Sequence, residues 1–368
     1  MARAVALVVA VGLFAGGALA NGETSVRRQL AFARLQSPWL GIIAVSDAVT
    51  CGASCTTYRS HIFVSDHGRW REVTPSRMLW QLEDVAFSSP LVGWIVANDC
   101  AAAKASVYRT ADGGRTWRAT PVRATNCSAG SRLELSFSDN RHGWILDVYG
   151  NGNRFPLART SDGGKTWRQV NANAPLAGTI VFATARDGSV SRSDFASPQR
   201  LYATRDGGRT WQHQHLKAPH GWTGAKLFPD APTFFGTRGV LPVDLVLGTR
   251  TAVAFYTTSN SGRTWQPGSV HPVQNSIAAP HSPFVRYVPT SIVSPSLWWV
   301  SAGRKRSTVA VTTDAGKSWR DSTLPVRTSE LSAVNAQRAW LTTPQPTSTL
   351  YATSDGGRNW PRLMVPNP

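Results

Sequence analysis

Short runs of strand-forming residues, separated by turns, recur along the chain. Leu82 to Phe87, Gly93 to Ala97 and Ser106 to Arg109 are three consecutive runs bounded by Gly, Asn, Asp and Ser, a pattern typical of β-strands. Trp117 opens a fourth run. No segment shows the 3.6-residue apolar period of an amphipathic helix. The pattern therefore predicts an all-β protein built from short strands.

A motif of the form Thr-x-Asp-Gly-Gly-Arg/Lys-Thr-Trp recurs seven times. Thr110 to Trp117 is an intact copy, whereas Ser65 to Trp70 is degraded and lacks the Thr before its Trp. The Asp or Asn stands at Asp66, Asp112, Asp162, Asp206, Asn260, Asp314 and Asp355. The closing Trp stands at Trp70, Trp117, Trp167, Trp211, Trp265, Trp319 and Trp360. A spacing of 41 to 54 residues, with four short strands per unit, matches one blade of a β-propeller.

A second element precedes the motif in most units. Phe87 to Trp94 and Phe137 to Trp144 both begin with Phe and end with Gly-Trp, and Ile292 and Trp299 keep the same separation. The fourth and fifth units lack this Trp. The repeat therefore accounts for most of the 15 Trp of the chain.

Each motif residue has a role in a tight turn. The Asp side chain accepts hydrogen bonds from backbone N–H groups of its own turn, and the Gly two residues later permits a positive φ. The Trp buries its indole between neighbouring sheets, a large hydrophobic contribution for a small blade. Asn260 can still form such a turn. We therefore assign these residues a structural role and not a catalytic one.

The motif resembles the Asp-box, also called the bacterial neuraminidase repeat. The longer unit is similar to the repeat of the photosystem II stability/assembly factor family, and Val85 to Trp117 and Leu135 to Trp167 are its best copies. The resemblance covers residues 29–365 and implies one domain, a seven-bladed β-propeller of four-stranded blades around an axial channel. Asp-box propellers include sialidases, other glycosidases, sorting receptors and non-catalytic assembly factors, so the motif specifies the fold more than the function.

Each unit is complete in sequence, which bears on how the ring closes. Blade one would begin near Leu30 and blade seven would end near Val365. Closure would then rely on packing of blade seven against blade one. Alternatively residues 21–28, which we otherwise assign to an N-terminal tail, would add an edge strand.

An enzyme on this fold would need particular side chains. A sialidase needs three arginines that bind a carboxylate, but Arg34, Arg132 and Arg286 do not have the spacing of such a triad. Another glycosidase needs a pair of carboxylates. The candidates at the starts of inner strands are Glu83, Asp84 and Glu134. No nucleophile elbow, phosphate loop or His-Glu-x-x-His motif is present, so we favour a non-catalytic protein and keep a secreted sialidase-like or other glycoside hydrolase as the alternative.

Three histidines are candidates for a metal site. His213 and His215 alternate on one face of a strand, with His220 close in sequence. Imidazoles can bind a transition metal, but an exposed edge strand explains the same pattern and is the interpretation we favour. We predict no metal and no other cofactor.

Residues 1–20 are typical of a secretory signal peptide. Arg3 precedes an apolar run, and Ala18-Leu19-Ala20 is a small-x-small cleavage site, as in signal peptides. The run is too short to span a bilayer, and no later segment is apolar for long enough. We expect a secreted or extracytoplasmic protein without a transmembrane segment.

Export would place the four cysteines in an oxidising compartment, where disulfides form. Four cysteines allow three pairings. Cys51 and Cys55 share one hairpin, whereas Cys100 and Cys127 lie in two loops of the same propeller face. We predict the pairs Cys51–Cys55 and Cys100–Cys127.

The same face would carry the run Arg304-Lys305-Arg306. One interpretation is a solvated loop. The other is a contact with an acidic partner, either a protein or an acidic polymer, because loops on a rigid scaffold often carry binding residues.

The large net charge is weak evidence for a single basic binding patch. The formal net charge is +18, but every motif copy carries a Lys or Arg three residues after its Asp position, so much of the charge is spread around the rim. Export disfavours nucleic acid as a partner. We predict an exported, monomeric, non-catalytic scaffold that binds a protein or an acidic polymer.

Overall fold

The computed structural model describes residues 26–35, 37, 40–50, 56–66, 69–78, 81–99, 104–122, 132–148, 155–192, 198–273, 288–303, 307–324, 326–344 and 348–366. Every regular element in these ranges is a β-strand, and the strands form seven antiparallel sheets. The sheets are the blades of a seven-bladed β-propeller, which confirms the predicted fold.

Each blade consists of consecutive strands, which run in chain order from the inner edge of the sheet outward. Blade one contains β1 Val26–Leu35, β2 Leu40–Thr50, β3 Thr56–Asp66 and β4 Arg69–Glu72. Blade two contains β5 Gln81–Phe87, β6 Gly93–Asp99, β7 Lys104–Thr110 and β8 Arg118–Pro121. Blade three contains β9 Leu133–Phe137, β10 Gly143–Asp147, β11 Leu157–Thr160 and β12 Arg168–Asn171. Blade four contains β13 Thr179–Phe182, β14 Gly188–Ser191, β15 Leu201–Thr204 and β16 Gln212–His213.

The remaining three blades follow the same order. Blade five contains β17 Lys226–Pro229, β18 Thr233–Phe235, β19 Arg238–Leu247, β20 Arg250–Thr258 and β21 Gln266–Pro272. Blade six contains β22 Thr290–Ile292, β23 Trp298–Ala302, β24 Ser307–Thr312 and β25 Arg320–Leu324. Blade seven contains β26 Glu330–Ala333, β27 Ala339–Thr342, β28 Leu350–Thr353 and β29 Arg362–Leu363. First strands of neighbouring blades contact one another, as β5 contacts β9 and β26 contacts β1, so they surround the axis.

Blade five departs from the predicted four strands. Its inner strand is interrupted between Pro229 and Thr233, and both parts, β17 and β18, pair with the long strand β19. Proline has no N–H to donate to a sheet, and Pro232 lies in the interruption. The Asp230 backbone N–H reaches across to the carbonyl oxygen of Pro242 at 2.9 Å. The prolines therefore divide one strand into two.

The hydrophobic core is distributed over the seams between blades. The described residues form seven buried clusters, each shared by two adjacent blades. In the first seam, Ile42 and Ile62 of blade one pack with Val85 and Ile95 of blade two. Stability therefore resides mainly between blades, as in other repeat architectures.

Blade seven packs directly on blade one. The Leu35 backbone N–H donates to Ser332 Oγ at 3.0 Å, and the Trp70 and Trp340 ring centroids are 5.8 Å apart. Val26 pairs with Val49 inside blade one, so β1 begins within the segment assigned to the tail. Face packing thus joins the first and last blades, which was one of the two predicted ways to close the ring.

The motif turns define one face of the ring, which we call the Asp-box face. They lie between the third and fourth strands, beside the turns that join the first and second strands. In blade two, the Gly113 backbone N–H donates to the Leu91 carbonyl at 2.9 Å, and in blade three Gly163 donates to Arg141 at 2.8 Å. The second and fourth strands end, and the first and third strands begin, on the opposite side, which we call the hairpin face.

Candidate functional site

Asp112 organises the turn between β7 and β8. Its Oδ1 accepts the backbone N–H of Thr116 at 2.9 Å, and its Oδ2 accepts the Thr116 hydroxyl at 2.6 Å. The Thr110 hydroxyl donates to Asp112 Oδ1 and accepts the Gly114 backbone N–H, both at 2.8 Å. Hydrogen bonds from Thr116, above all, lower the pKa of Asp112 to about 2, because they favour the ionised carboxylate.

The backbone bond made by Asp112 recurs in five later turns. The accepting side chains are Asp162, Asp206, Asn260, Asp314 and Asp355. Asn260 Oδ1 accepts the Thr264 backbone N–H at 3.0 Å, and its Nδ2 donates to Thr264 Oγ1 at 2.9 Å. An amide thus serves in place of the carboxylate. The side chain of Asp66, in the first copy, lies outside the described residues.

Aromatic rings connect neighbouring blades in a fixed order. Trp94 of blade two stacks on Phe137 of blade three with centroids 3.7 Å apart, and Phe137 meets Trp167 edge-on at 6.0 Å. Trp94 Nε1–H donates to the Gly163 carbonyl in the motif turn of blade three at 2.8 Å. The next seam repeats this arrangement with Trp144, Phe182, Trp211 and Gly207.

Several arginines of the Asp-box face also bind the next blade. Each donates from its guanidinium to the carbonyl of a motif glycine. The pairs are Arg71 with Gly113 at 3.0 Å, Arg205 with Gly262 at 2.8 Å and Arg320 with Gly356 at 2.7 Å. These charges therefore have structural roles at the rim.

The three predicted carboxylates lie together near the axis, between blades two and three. Glu83 Oε1 accepts Asn98 Nδ2–H at 3.0 Å, and Glu83 Oε2 accepts the Leu133 backbone N–H at 3.3 Å. Asp84 Oδ2 accepts the Leu135 backbone N–H at 2.7 Å. A shift of register in β5 between Leu82 and Asp84 is a β-bulge, which lets consecutive residues face the same neighbour.

The third carboxylate, Glu134, forms an ion pair with Arg132. Glu83, Asp84 and Glu134 are only 3%, 1% and 2% exposed. Burial, above all, raises the pKa of Glu83 to about 8 and that of Glu134 to about 7. Burial and the nearby Glu134 charge raise the pKa of Asp84 well above its usual value. Charged forms lose solvation on burial, so protons are retained here near neutral pH.

Two further ionisable side chains near the axis are Arg34 and Glu330. Burial raises the pKa of Glu330 to about 7, while the Arg34 charge and a hydrogen bond from the Ala33 backbone oppose the increase. Arg34 also acts on Asp84 of blade two. Arg34 of blade one therefore lies within electrostatic reach of carboxyls from both neighbouring blades.

Serine side chains perform the same task as Asp84 in other seams. Each accepts a backbone N–H from the first strand of the next blade. The pairs are Ser136 with Phe182 at 3.1 Å, Ser291 with Ala333 at 2.9 Å and Ser332 with Leu35 at 3.0 Å. The axial carboxylates thus make a type of hydrogen bond that recurs between the first strands of neighbouring blades. A pocket of about 160 Å³ lies elsewhere, between Leu35, Trp340 and Pro361.

Sequence reasoning missed one pair of carboxyls in blade five, the half-buried Asp230 and the buried Asp244. Burial raises the pKa of Asp230 to about 6, and burial together with Asp230 raises that of Asp244 well above its usual value. Asp230 lies in the interruption of the inner strand of blade five. The sequence Pro229-Asp-Ala-Pro232 could have indicated this irregular segment.

Other predicted site residues lie outside the described residues. They are Cys51, Cys55, Cys100, Cys127, Arg286, Arg304, Lys305 and Arg306. In the part of the chain that the structure describes, no helix is long and apolar enough to cross a membrane.

A family model for photosynthesis system II assembly factor YCF48 matches residues 64–225 and 128–294. Together these matches span more than half of the chain. No curated protein matched.

Solved structures share the fold at low sequence identity. A structure of YCF48 bound to D1 peptide is 18% identical over 78% of this chain and 84% of its own, with a TM-score of 0.49. The GH74 xyloglucanase from Xanthomonas campestris is 15% identical over 91% of this chain, with a TM-score of 0.57. This chain covers 54% of that xyloglucanase. At such identities the likeness concerns the fold alone.

Proposed function

The chain belongs to the photosynthesis system II assembly factor YCF48 family, and from this membership we propose that it is a non-catalytic scaffold that binds a protein partner. The family match is the observation that carries the proposal. An assembly factor acts by holding other polypeptides, and a rigid ring with loops on one face suits that task.

The hydrogen bonds that the axial carboxylates make support a scaffold function. Glu83 and Asp84 accept backbone N–H groups of blade three, and serines on the first strands of other blades accept bonds of the same kind. Their burial leaves little surface for a sugar. These groups therefore contribute to the rigidity of the ring.

We place the partner on the hairpin face. Arg71, Arg205 and Arg320 of the Asp-box face are bonded to carbonyls of neighbouring blades. The run Arg304-Lys305-Arg306 is our candidate contact for an acidic segment. A protein partner is the first choice and an acidic polymer the second. The proposal includes export by residues 1–20, the pairs Cys51–Cys55 and Cys100–Cys127, and a monomeric state.

Capture from an envelope extract by the purified protein tests this proposal. Replacing Arg304, Lys305 and Arg306 with Ala should abolish the capture of specific proteins at low salt, identified by mass spectrometry. The matched control replaces Arg115, Lys165 and Arg209, three exposed basic residues of the motif turns, and should capture normally. Equal loss in both variants would indicate non-specific charge attraction. Unchanged capture by the first variant would reject this contact.

The alternative is a glycoside hydrolase, and one observation favours it. Glu83 and Glu134 have pKa values raised to about 8 and about 7, and a general acid must hold its proton near neutral pH. A panel of chromogenic glycosides should give no turnover. Turnover that is lost in Glu134→Gln would overturn the scaffold in favour of the enzyme.

A further inference from the structure

Two exposed histidines lie side by side at the outer edge of blade four. His213 ends β16 and His215 follows two residues later, on the same side of the extended chain. His213 Nδ1 and His215 Nε2 are 3.0 Å apart, and the two rings are nearly perpendicular. The sequence alone favoured an exposed edge strand without metal, but the distance between these nitrogens changes that assessment.

Gln199 holds this segment from the neighbouring loop. Its side-chain Oε1 accepts the Leu216 backbone N–H and its Nε2 donates to the Leu216 carbonyl, both at 3.0 Å. Its own backbone has a φ of 62°, in the left-handed region that residues other than Gly rarely adopt. This conformation brings the Gln199 carbonyl within 2.6 Å of His213 Nε2.

That carbonyl determines the proton position on His213. A carbonyl only accepts, so His213 must donate from Nε2, and in the neutral ring Nδ1 then carries a lone pair. Nδ1 faces His215. Metal-bound histidines commonly donate their other N–H to a backbone carbonyl in this way, which fixes the ring and its tautomer.

We propose that His213 and His215 form a two-imidazole site for a divalent first-row transition-metal ion, with water in the remaining coordination positions. Metal–imidazole bonds are about 2.0–2.1 Å long, so adjacent ligands at a right angle lie roughly 2.9 Å apart, close to the observed separation. His215 moves its proton to Nδ1 and turns Nε2 towards the ion. No group of three or more His, Cys, Asp or Glu in the described ranges could hold a metal, so the chelate has two protein ligands.

Copper(II) is the most sensitive probe, because affinity for nitrogen ligands peaks at Cu²⁺ in the divalent series. The full chain is titrated with Cu²⁺ in a non-coordinating sulfonate buffer, and binding is followed by Trp fluorescence and electron paramagnetic resonance. The wild-type protein should show one site with superhyperfine coupling from two imidazole nitrogens. His213→Gln and His215→Gln should each weaken that site by at least about tenfold and remove the two-nitrogen signal.

Two further variants keep the result interpretable. His142→Gln removes a histidine that is paired with Asp139 and should bind Cu²⁺ as the wild type does. Gln199→Gly keeps the left-handed backbone but removes the clamp on Leu216, and should weaken binding about tenfold without changing the circular dichroism spectrum. Equal Cu²⁺ affinity in wild type and the double variant His213→Gln/His215→Gln, or a wild-type spectrum without two-imidazole coupling, would overturn the proposal.

Discussion

At the scale of single residues, the motif Asp holds its turn because its side-chain oxygens accept several hydrogen bonds from well-defined directions. Asp162 accepts the Lys165 and Thr166 backbone N–H groups, both at 3.0 Å, and the Thr166 hydroxyl at 2.6 Å. In blade five, the uncharged Asn260 accepts the corresponding two backbone N–H groups, and its amide donates to the Thr264 hydroxyl. Geometry, more than charge, therefore defines the turn.

Replacing Asp162 distinguishes these contributions. Asp162→Asn should lower the free energy of unfolding by less than about 0.5 kcal/mol, whereas Asp162→Ala should lower it by about 1–2 kcal/mol, because backbone donors lose their acceptor. Urea unfolding at pH 7 measures both. If Asn is as harmful as Ala, the negative charge is the stabilising feature and the comparison with Asn260 is misleading.

Trp298 shows what a repeat pattern leaves out. In blade two, Gly93 lies against the ring of Phe87, and an added Cβ would collide with that ring. Blade six has Ile292 opposite Trp298 at the corresponding place. The smaller Ile leaves room for the indole, which stacks on Phe255 of blade five at 4.5 Å. A smaller side chain at position 292 on one strand compensates for a larger one at position 298 on the next. A repeat pattern read along the chain does not show this compensation, so it assigns no role to Trp298.

At the scale of elements, the seam between blades depends on residues that contact two sheets. Trp144 of β10 stacks on Phe182 of β13 with centroids 3.6 Å apart and donates to the Gly207 carbonyl at 2.9 Å. Trp211 donates to Gly208 within its own turn at 3.1 Å. The two indoles thus provide a matched comparison.

Substitution of Trp144 should therefore loosen a blade to which it does not belong. Trp144→Phe keeps an aromatic ring but leaves the Gly207 carbonyl without its donor, at a cost of about 1–3 kcal/mol. Hydrogen exchange should accelerate in the blade-four peptide around residues 204–211. Trp211→Phe should accelerate exchange in that peptide without affecting blade three. If Trp144→Phe accelerates hydrogen exchange in blade three only, Trp144 does not stabilise blade four across the seam as described.

Strands and motif turns were predictable because their signals are local. Observed β5 to β7 differ from the predicted runs by one or two residues at their ends. The axial cluster was predictable only in part, since the bulge at Glu83 decides that both Glu83 and Asp84 reach blade three. The divided strand of blade five has a local signal in Pro229 and Pro232. The contact of the Gln199 carbonyl with His213 joins residues that are 14 positions apart, so no local pattern indicates it.

At the scale of the whole molecule, two groups of carboxyls give stability opposite dependences on pH. The pKa values of Asp112, Asp162, Asp314 and Asp355 are lowered to about 2, so their contribution is present above about pH 4 and is lost as the pH falls towards 2. The pKa values of Glu83, Glu134 and Glu330 are raised to about 8, 7 and 7. Their contribution is complete below their usual value of 4.5 and is lost as the pH rises to 8.

Stability should therefore be greatest near pH 4–5. Urea midpoints measured at constant ionic strength should be highest there, and lower at both pH 2.5 and pH 8. Glu83→Gln, which imitates the protonated side chain, should reduce the loss between pH 5 and pH 8. Glu72→Gln alters an exposed carboxylate whose pKa is lowered, and should not reduce it. A midpoint that rises from pH 5 to pH 8 would contradict the role of the buried carboxyls.

The joining of blades one and seven without a shared sheet has an evolutionary consequence. Every blade is one uninterrupted segment, and each pair of adjacent blades meets through the same kinds of contact. Duplication or loss of one segment would therefore leave every remaining sheet whole. A circular permutant that opened the chain between two other blades would also keep all seven sheets. In a ring fastened by a sheet shared between both termini, either event would divide a blade.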